Sequence, residues 1–230
     1  MTIRSVYAVN KPVGPSSNQF LTEIRRHLHI KKIGHAGTLD PLASGVLVIG
    51  IGREGTKQLS GIVLTEKEYV ATIELGRVSS TDDAEGLFSE PKTVFDPKTV
   101  FEDEVLDTLK PFVGHILQTP PQFSAIKIKG TRAYKTARSG HTVTLEPRPV
   151  DIHQIEVLEY KWPLLVIRVV CGKGVYIRAL ARDIGRELGV GGYLKALTRT
   201  RVGEWTLENC STIEELISVN KSLDPGSNPG

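Results

Sequence analysis

The chain of 230 residues is 40% hydrophobic and 24% charged, the composition of a soluble globular protein with a sizeable core. Its longest apolar run, GVLVIGIG, is far too short to cross a bilayer. The N-terminus MTIRSVYAVN lacks the basic start, apolar middle and cleavage site of a signal peptide, so a cytoplasmic protein with no membrane partner is expected.

In chain order, SVYAVNKP reads as a short strand ending at Pro12. Ser16 with Gln19 makes a capping box for a helix over 17–28, with Phe20, Leu21, Ile24 and Leu28 on one face. Residues 45–52 read as a buried strand and 68–76 as an alternating one. Residues 102–112 predict a helix with Val105, Leu106, Leu109 and Phe112 inward. Two strands, 149–160 and 164–171, flank KWP.

GVYIRALARDIGRELG (174–189) predicts a helix with Ile177, Leu180, Ala181, Ile184 and Leu188 as its apolar stripe; Gly189 ends it, and Arg178 and Arg182 lie on the opposite face. RVGEWTL (201–207) reads as a last strand, and Thr212 with Glu215 caps a last short helix. The tail DPGSNPG is disordered by composition. Strands and helices mix without regular βαβ alternation. That predicts an α+β fold with a mixed, largely antiparallel sheet and flanking helices. One domain over 1–218 and a disordered tail over 219–230 are expected.

The net charge of +3 conceals an uneven distribution. Residues 1–57 carry eight Lys/Arg against three Asp/Glu, and 66–107 reverse this with four against twelve. Residues 110–150 return to seven against one, and 171–201 to seven against two. Three basic segments suggest a positive face for a polyanion, since phosphate contacts supply most nucleic-acid affinity. The two cysteines, Cys171 and Cys210, have neither Cys-x-x-Cys nor His-pair spacing. They read as apolar filler, and no metal site is expected.

HAGTLDPLASG (35–45) holds one carboxylate, Asp40, before a proline. Asp-Pro is a standard helix start, with Asp as N-cap. Gly45 and a strand follow so soon that such a helix would be little more than one turn. A residue before proline is also held extended, which aims its side chain and suits nucleophilic or acid–base work. Spacing alone leaves both readings open.

Six stretches occur in order: NKPVGPSSNQF, GHAGTLDPLASGVLVIGIGREGTK, KEYVATIELG, TPPQFSAIKIKGTRAYKTARSG, GVYIRALARDIG and LTRTRVGEW. Together they resemble the TruB family, the bacterial tRNA pseudouridine synthases that isomerise uridine at position 55 in the T-arm loop. The resemblance runs from Val6 to Trp205. It implies a pseudouridine-synthase catalytic fold with a central cleft.

By resemblance, Asp40 is the catalytic aspartate, Tyr69 the ring against which a flipped-out base lies, and Arg178 the partner of the aspartate. Tyr176 belongs with Arg178 in the YIR motif, and Leu197 walls the uracil pocket. His35 matches a histidine that contacts the RNA, and Lys11 with Pro12 a supporting motif. The segment 119–148 corresponds to a thumb-like RNA clamp carrying Lys127, Lys129, Arg132, Lys135 and Arg138, with Phe123 and Tyr134 interleaved; this composition suits a stem-loop.

The implied partner is the tRNA T-arm stem-loop, bound by a monomer. The reaction involves no redox step and no phosphoryl transfer, so no cofactor is expected. An ionised Asp40 could add to C1′, add to C6, or act on a glycal route; a nearby guanidinium favours the required anion. Two other functions remain: a synthase for another RNA target, or an RNA-binding or RNA-folding module without catalysis. An intact Asp40, Tyr69 and Arg178 set speaks against the latter. Bacterial members usually continue past RTRVG with a further RNA-binding module, whereas 25 residues follow Trp205 here.

Overall fold

The computed structural model describes residues 5–89, 100–122, 127–128, 131–132, 145–216 and 218. The chain forms an α+β fold. Strands pair in the order Val6–Lys11, Ala43–Ile51, Gly192–Val202, Lys67–Leu75, Leu164–Cys171, Arg148–Lys161 and Gly114–Gln118, with Ile33–Ala36 beside Ala43–Ile51 and Trp205–Thr206 beside Gly192–Val202, giving a nine-stranded sheet. The chain divides into two compact units, 1–69 with 198–230, and 70–197.

In the first unit, β1 (Val6–Lys11) and β2 (Ile33–Ala36) both pair antiparallel with β3 (Ala43–Ile51). Helix α1 (Ser17–His27) starts at the expected capping box. The Ser16 and Gln19 side chains satisfy each other's backbone N–H groups there. Phe20, Leu21, Ile24 and Leu28 are buried, as their spacing predicts.

A second helix, α2 (Gly52–Ile62), was not legible in the sequence. It lies so close on β3 that a Cβ on Gly50 would stand 2.4 Å from the Gly55 carbonyl oxygen. Val6, Ala8, Ala36, Val46, Val48, Leu59 and Val202 form the core of this unit, with Trp205 and Cys210 packed on it. Burial pushes the Cys210 thiol up to about 11, which keeps it an unreactive neutral group.

The second unit contains most of β4 (Lys67–Leu75) and the antiparallel pair β10 (Arg148–Lys161) and β11 (Leu164–Cys171), with β7 (Gly114–Gln118) beside β10. β5 (Val78–Ser79) and β6 (Phe88–Ser89) form a small hairpin, and β8 (Lys127–Ile128) pairs with β9 (Thr131–Arg132). Helix α3 (Glu102–Leu109) buries Val105 and Leu109 but leaves Leu106 44% exposed, contrary to the predicted stripe. The helix ends at Leu109 in a 3-10 turn, which rotates the following side chains.

Helix α4 (Ile177–Glu187) buries Ile177, Leu180, Ala181 and Ile184 as expected. β12 (Gly192–Val202) runs through both units. RVGEWTL is not one strand. The chain turns at Gly203, whose φ is +56°, and returns as β13 (Trp205–Thr206). No described helix is long and apolar enough to cross a membrane.

Candidate active site

Asp40 caps no helix. Its carbonyl accepts the Ala43 N–H at 3.1 Å across a turn with Pro41 at its second position, and β3 begins at Ala43. The carboxylate is half-buried and sits on a loop leading into a strand. The short distance to Gly45 leaves no room for a helix, so the N-cap reading does not hold.

The Asp40 loop is fixed from several sides within the first unit. Ser17 Oγ donates to the Leu39 carbonyl at 2.9 Å and accepts the Leu39 N–H at 2.8 Å. The Gly14 N–H donates to the Pro41 carbonyl at 2.8 Å. Arg199 is 1% exposed; its Nε donates to the Val46 carbonyl at 2.8 Å and its Nη2 to the Gly37 carbonyl at 3.1 Å. Gly45 has φ +109°, and a Cβ there would lie 2.2 Å from the Arg199 carbonyl oxygen, so only glycine passes this crossing.

His35 lies on β2, with Nδ1 buried and unpartnered among the described residues. Burial holds its pKa below 6.5, helped by the Arg199 guanidinium and opposed by a hydrogen bond to the Gly37 backbone. Lys11 is fully buried and its Nζ donates to the carbonyls of Pro12 and Pro15, at 2.7 and 2.8 Å. Tyr69, on β4, is 8% exposed. His35, Asp40, Lys11 and Tyr69 all belong to this unit.

Tyr176, Arg178 and Leu197 belong to the second unit. Tyr176 is the N-cap of α4, and Gln118 holds it: Gln118 Oε1 accepts the Tyr176 N–H at 2.9 Å and Nε2 donates to its carbonyl at 3.1 Å. Arg178 follows in the first turn. Its place off the apolar stripe does not expose it. It is buried, with Nη1 3.3 Å from Asp83 Oδ2 and donating to the Thr81 carbonyl.

Arg182 is likewise engaged by Asp82, Asp183 and the Thr119 carbonyl. Burial pushes the Asp82 carboxyl above the ordinary carboxylate range, against the pull of Arg182 and Arg178. Asp82 has φ +62°, a left-handed conformation that Asp tolerates, and its carbonyl accepts the Leu194 N–H. Leu197 is 9% exposed on β12.

Of the expected clamp, Lys127 and Arg132 pair in the β8–β9 ladder. Lys129, Lys135, Arg138, Phe123 and Tyr134 lie outside the described residues, as does the tail 219–230. Ser17, Arg199, Asp83 and Gln118 were missed by sequence reasoning. Asp83 offered a signal: TDDAEG sets Asp82 and Asp83 side by side, and the α4 helix carries two arginines four apart.

The pattern described as the TruB family pseudouridylate synthase N-terminal domain matches residues 25–177, and that of the tRNA pseudouridylate synthase B C-terminal domain matches 178–224. The fold and this match define a pseudouridine synthase, an isomerase. A tRNA pseudouridine synthase B from Thermobifida fusca is 44% identical over 219 residues, covering 92% of this chain and 73% of the relative. One from Corynebacterium diphtheriae is 46% identical, with 90% and 70% covered. One from Parabacteroides distasonis is also 46% identical, with 90% and 89% covered. The chain belongs to the TruB family of pseudouridylate synthases. Among solved structures, a chain in a Cbf5-Nop10-Gar1 complex superposes with TM-score 0.71 at 30% identity; 97% of this chain spans 56% of that one.

Proposed function

We propose that the chain isomerises uridine to pseudouridine at position 55 in the T-arm loop of tRNA, using Asp40 on a flipped-out base. The relatives at 44–46% identity are tRNA enzymes, whereas the match to the Cbf5 complex stands at 30%. That gap favours a tRNA substrate over another RNA. The observation that carries the reading is the Asp40 loop. A half-buried aspartate at which no helix starts is bracketed by fixed residues at Leu39 and Pro41. Such a group is preorganised for chemistry.

In the reaction the C1′–N1 bond breaks, the uracil turns, and a C1′–C5 bond forms. The C5 hydrogen leaves as a proton and N1 gains one, so atoms balance without an oxidant. An anionic Asp40 serves each route to this product. Tyr69 holds the extruded base, whose removal from the stack costs a few kcal/mol; stacking returns ~1–3 kcal/mol. Arg178, oriented by Asp83, supplies positive charge to the site; Leu197 and Tyr176 line the uracil pocket, His35 contacts the RNA, and the buried Lys11 supports the cleft from behind. The basic residues Lys127, Lys129, Arg132, Lys135 and Arg138 grip phosphates.

The test is incubation with a T-arm stem-loop followed by carbodiimide mapping of pseudouridine. Modification of the single expected uridine supports the reading, and an unmodified loop contradicts it.

A further inference from the structure

Ser17 is fully buried. It is the first residue of α1, yet helix capping is performed by its neighbour Ser16 together with Gln19. The Ser17 hydroxyl is therefore free of that duty, and it reaches across 22 positions of sequence to Leu39. There it both donates to the carbonyl and accepts from the N–H, at 2.9 and 2.8 Å. One hydroxyl satisfies both backbone groups of the residue immediately before Asp40.

The same segment holds the residue immediately after Asp40, through Gly14 N–H to the Pro41 carbonyl. The 12–16 turn is itself tied by Lys11 to the Pro12 and Pro15 carbonyls. Asp40 thus lies between two points pinned by one short stretch of chain. With its neighbours fixed, the direction of its Cα–Cβ bond is fixed too.

We propose that Ser17 is a positioning residue for catalysis, setting the direction of the Asp40 carboxylate through Leu39. This rests on the reading of Asp40 as the catalytic group. A buried serine that only satisfied polar groups in a core would affect folding and leave the chemical step of the folded enzyme unchanged. A positioning serine affects the chemical step at saturating RNA and leaves RNA affinity unchanged, because phosphate contacts elsewhere set affinity. Misplacement of a reacting group by about 1 Å can cost ~100-fold in rate.

The experiment measures single-turnover isomerisation and binding of a T-arm stem-loop for Ser17→Ala, Ser17→Thr and Ser17→Cys, with Asp40→Asn in parallel. Ser17→Ala is expected to lower the saturating rate by about 10–100-fold with Kd within about twofold of wild type. Ser17→Thr, which keeps the hydroxyl, is expected to run faster than Ser17→Ala. A folded Ser17→Ala enzyme at the wild-type rate overturns the proposal, as does a slow one that Thr does not improve. Should Ser17→Ala fail to fold, Ser17→Cys retains the volume and decides by the same criteria: a slowed rate with unchanged binding supports positioning, and a wild-type rate overturns it. If Asp40→Asn itself turns over at the wild-type rate, the catalytic reading of Asp40 has failed, a result distinguishable from failure at Ser17.

Discussion

Arg178 Nη1 stands 3.3 Å from Asp83 Oδ2, with the two side chains only 7% and 3% exposed. Asp83 also accepts from the Thr81 hydroxyl and the Glu85 N–H. The carboxylate thus organises the 81–85 turn and orients the guanidinium in one arrangement. Removing one partner of a buried pair leaves an uncompensated charge. Asp83→Ala is expected to lower the unfolding free energy by about 3–5 kcal/mol. Urea denaturation measures it, and a loss below about 1 kcal/mol would place the pair among surface-like bridges of little worth.

Arg199 ties the two ends of the Asp40 loop through the Gly37 and Val46 carbonyls. A lysine cannot reproduce the planar fork. Arg199→Lys is expected to destabilise the protein by about 1–3 kcal/mol, the cost of leaving a buried acceptor unsatisfied. Thermal unfolding of the purified variant checks this, and an unchanged Tm would show that the guanidinium is dispensable to the loop.

His35 gives stability a pH dependence. Burial and Arg199 place its folded-state pKa below the unfolded value of 6.5. Between those two values the unfolded chain binds a proton that the folded protein does not, so stability rises with pH there. The contribution is complete above pH 6.5 and is lost as the pH falls through the lowered folded value. Urea unfolding of wild type and His35→Gln at about pH 5–8 isolates it. The wild type should lose more stability than the variant towards acid, and parallel profiles would contradict this.

The basic segment and Tyr69 should separate affinity from chemistry. Replacing Lys129, Arg132 and Lys135 together with Ala is expected to flatten the slope of log K against log[salt] by ~0.7–0.9 per lost phosphate contact. The saturating rate should fall much less. Tyr69→Ala is expected to keep the salt slope and impair turnover, because a stacking ring carries no charge. A salt titration beside single-turnover kinetics checks both. A triple variant with the wild-type slope would move the RNA-binding face to the basic segments 1–57 and 171–201.

What was legible in the sequence was local. The Ser16–Gln19 box, the β3 apolar run and the α4 stripe each rest on neighbours within one or two turns, and each appears in the structure. The motif carrying Asp40 stood out only through the resemblance of six ordered stretches, since its spacing to Gly45 left both readings open. What was hidden depends on distant pairing. Nothing local to Ser17 points to Leu39, and nothing local to Arg199 points to Gly37. The ion pairs of Arg178 and Arg182 with Asp83 and Asp82 were hidden because those carboxylates lie some hundred positions upstream. Helix α2 escaped because two of the five buried or partly buried positions of GREGTKQLSGI are glycines, which obscure its period.

The central claim is that Asp40 performs the chemistry. Its most direct test is Asp40→Asn in single-turnover isomerisation of a T-arm stem-loop, with binding measured beside it. The substitution keeps the size of the side chain and removes its charge. The expected result is a rate lower by on the order of 10⁴-fold or more, about 5.5 kcal/mol of barrier, with nearly unchanged affinity. A variant that retains even about a tenth of the wild-type rate, a barrier change of only about 1.4 kcal/mol, would contradict the claim.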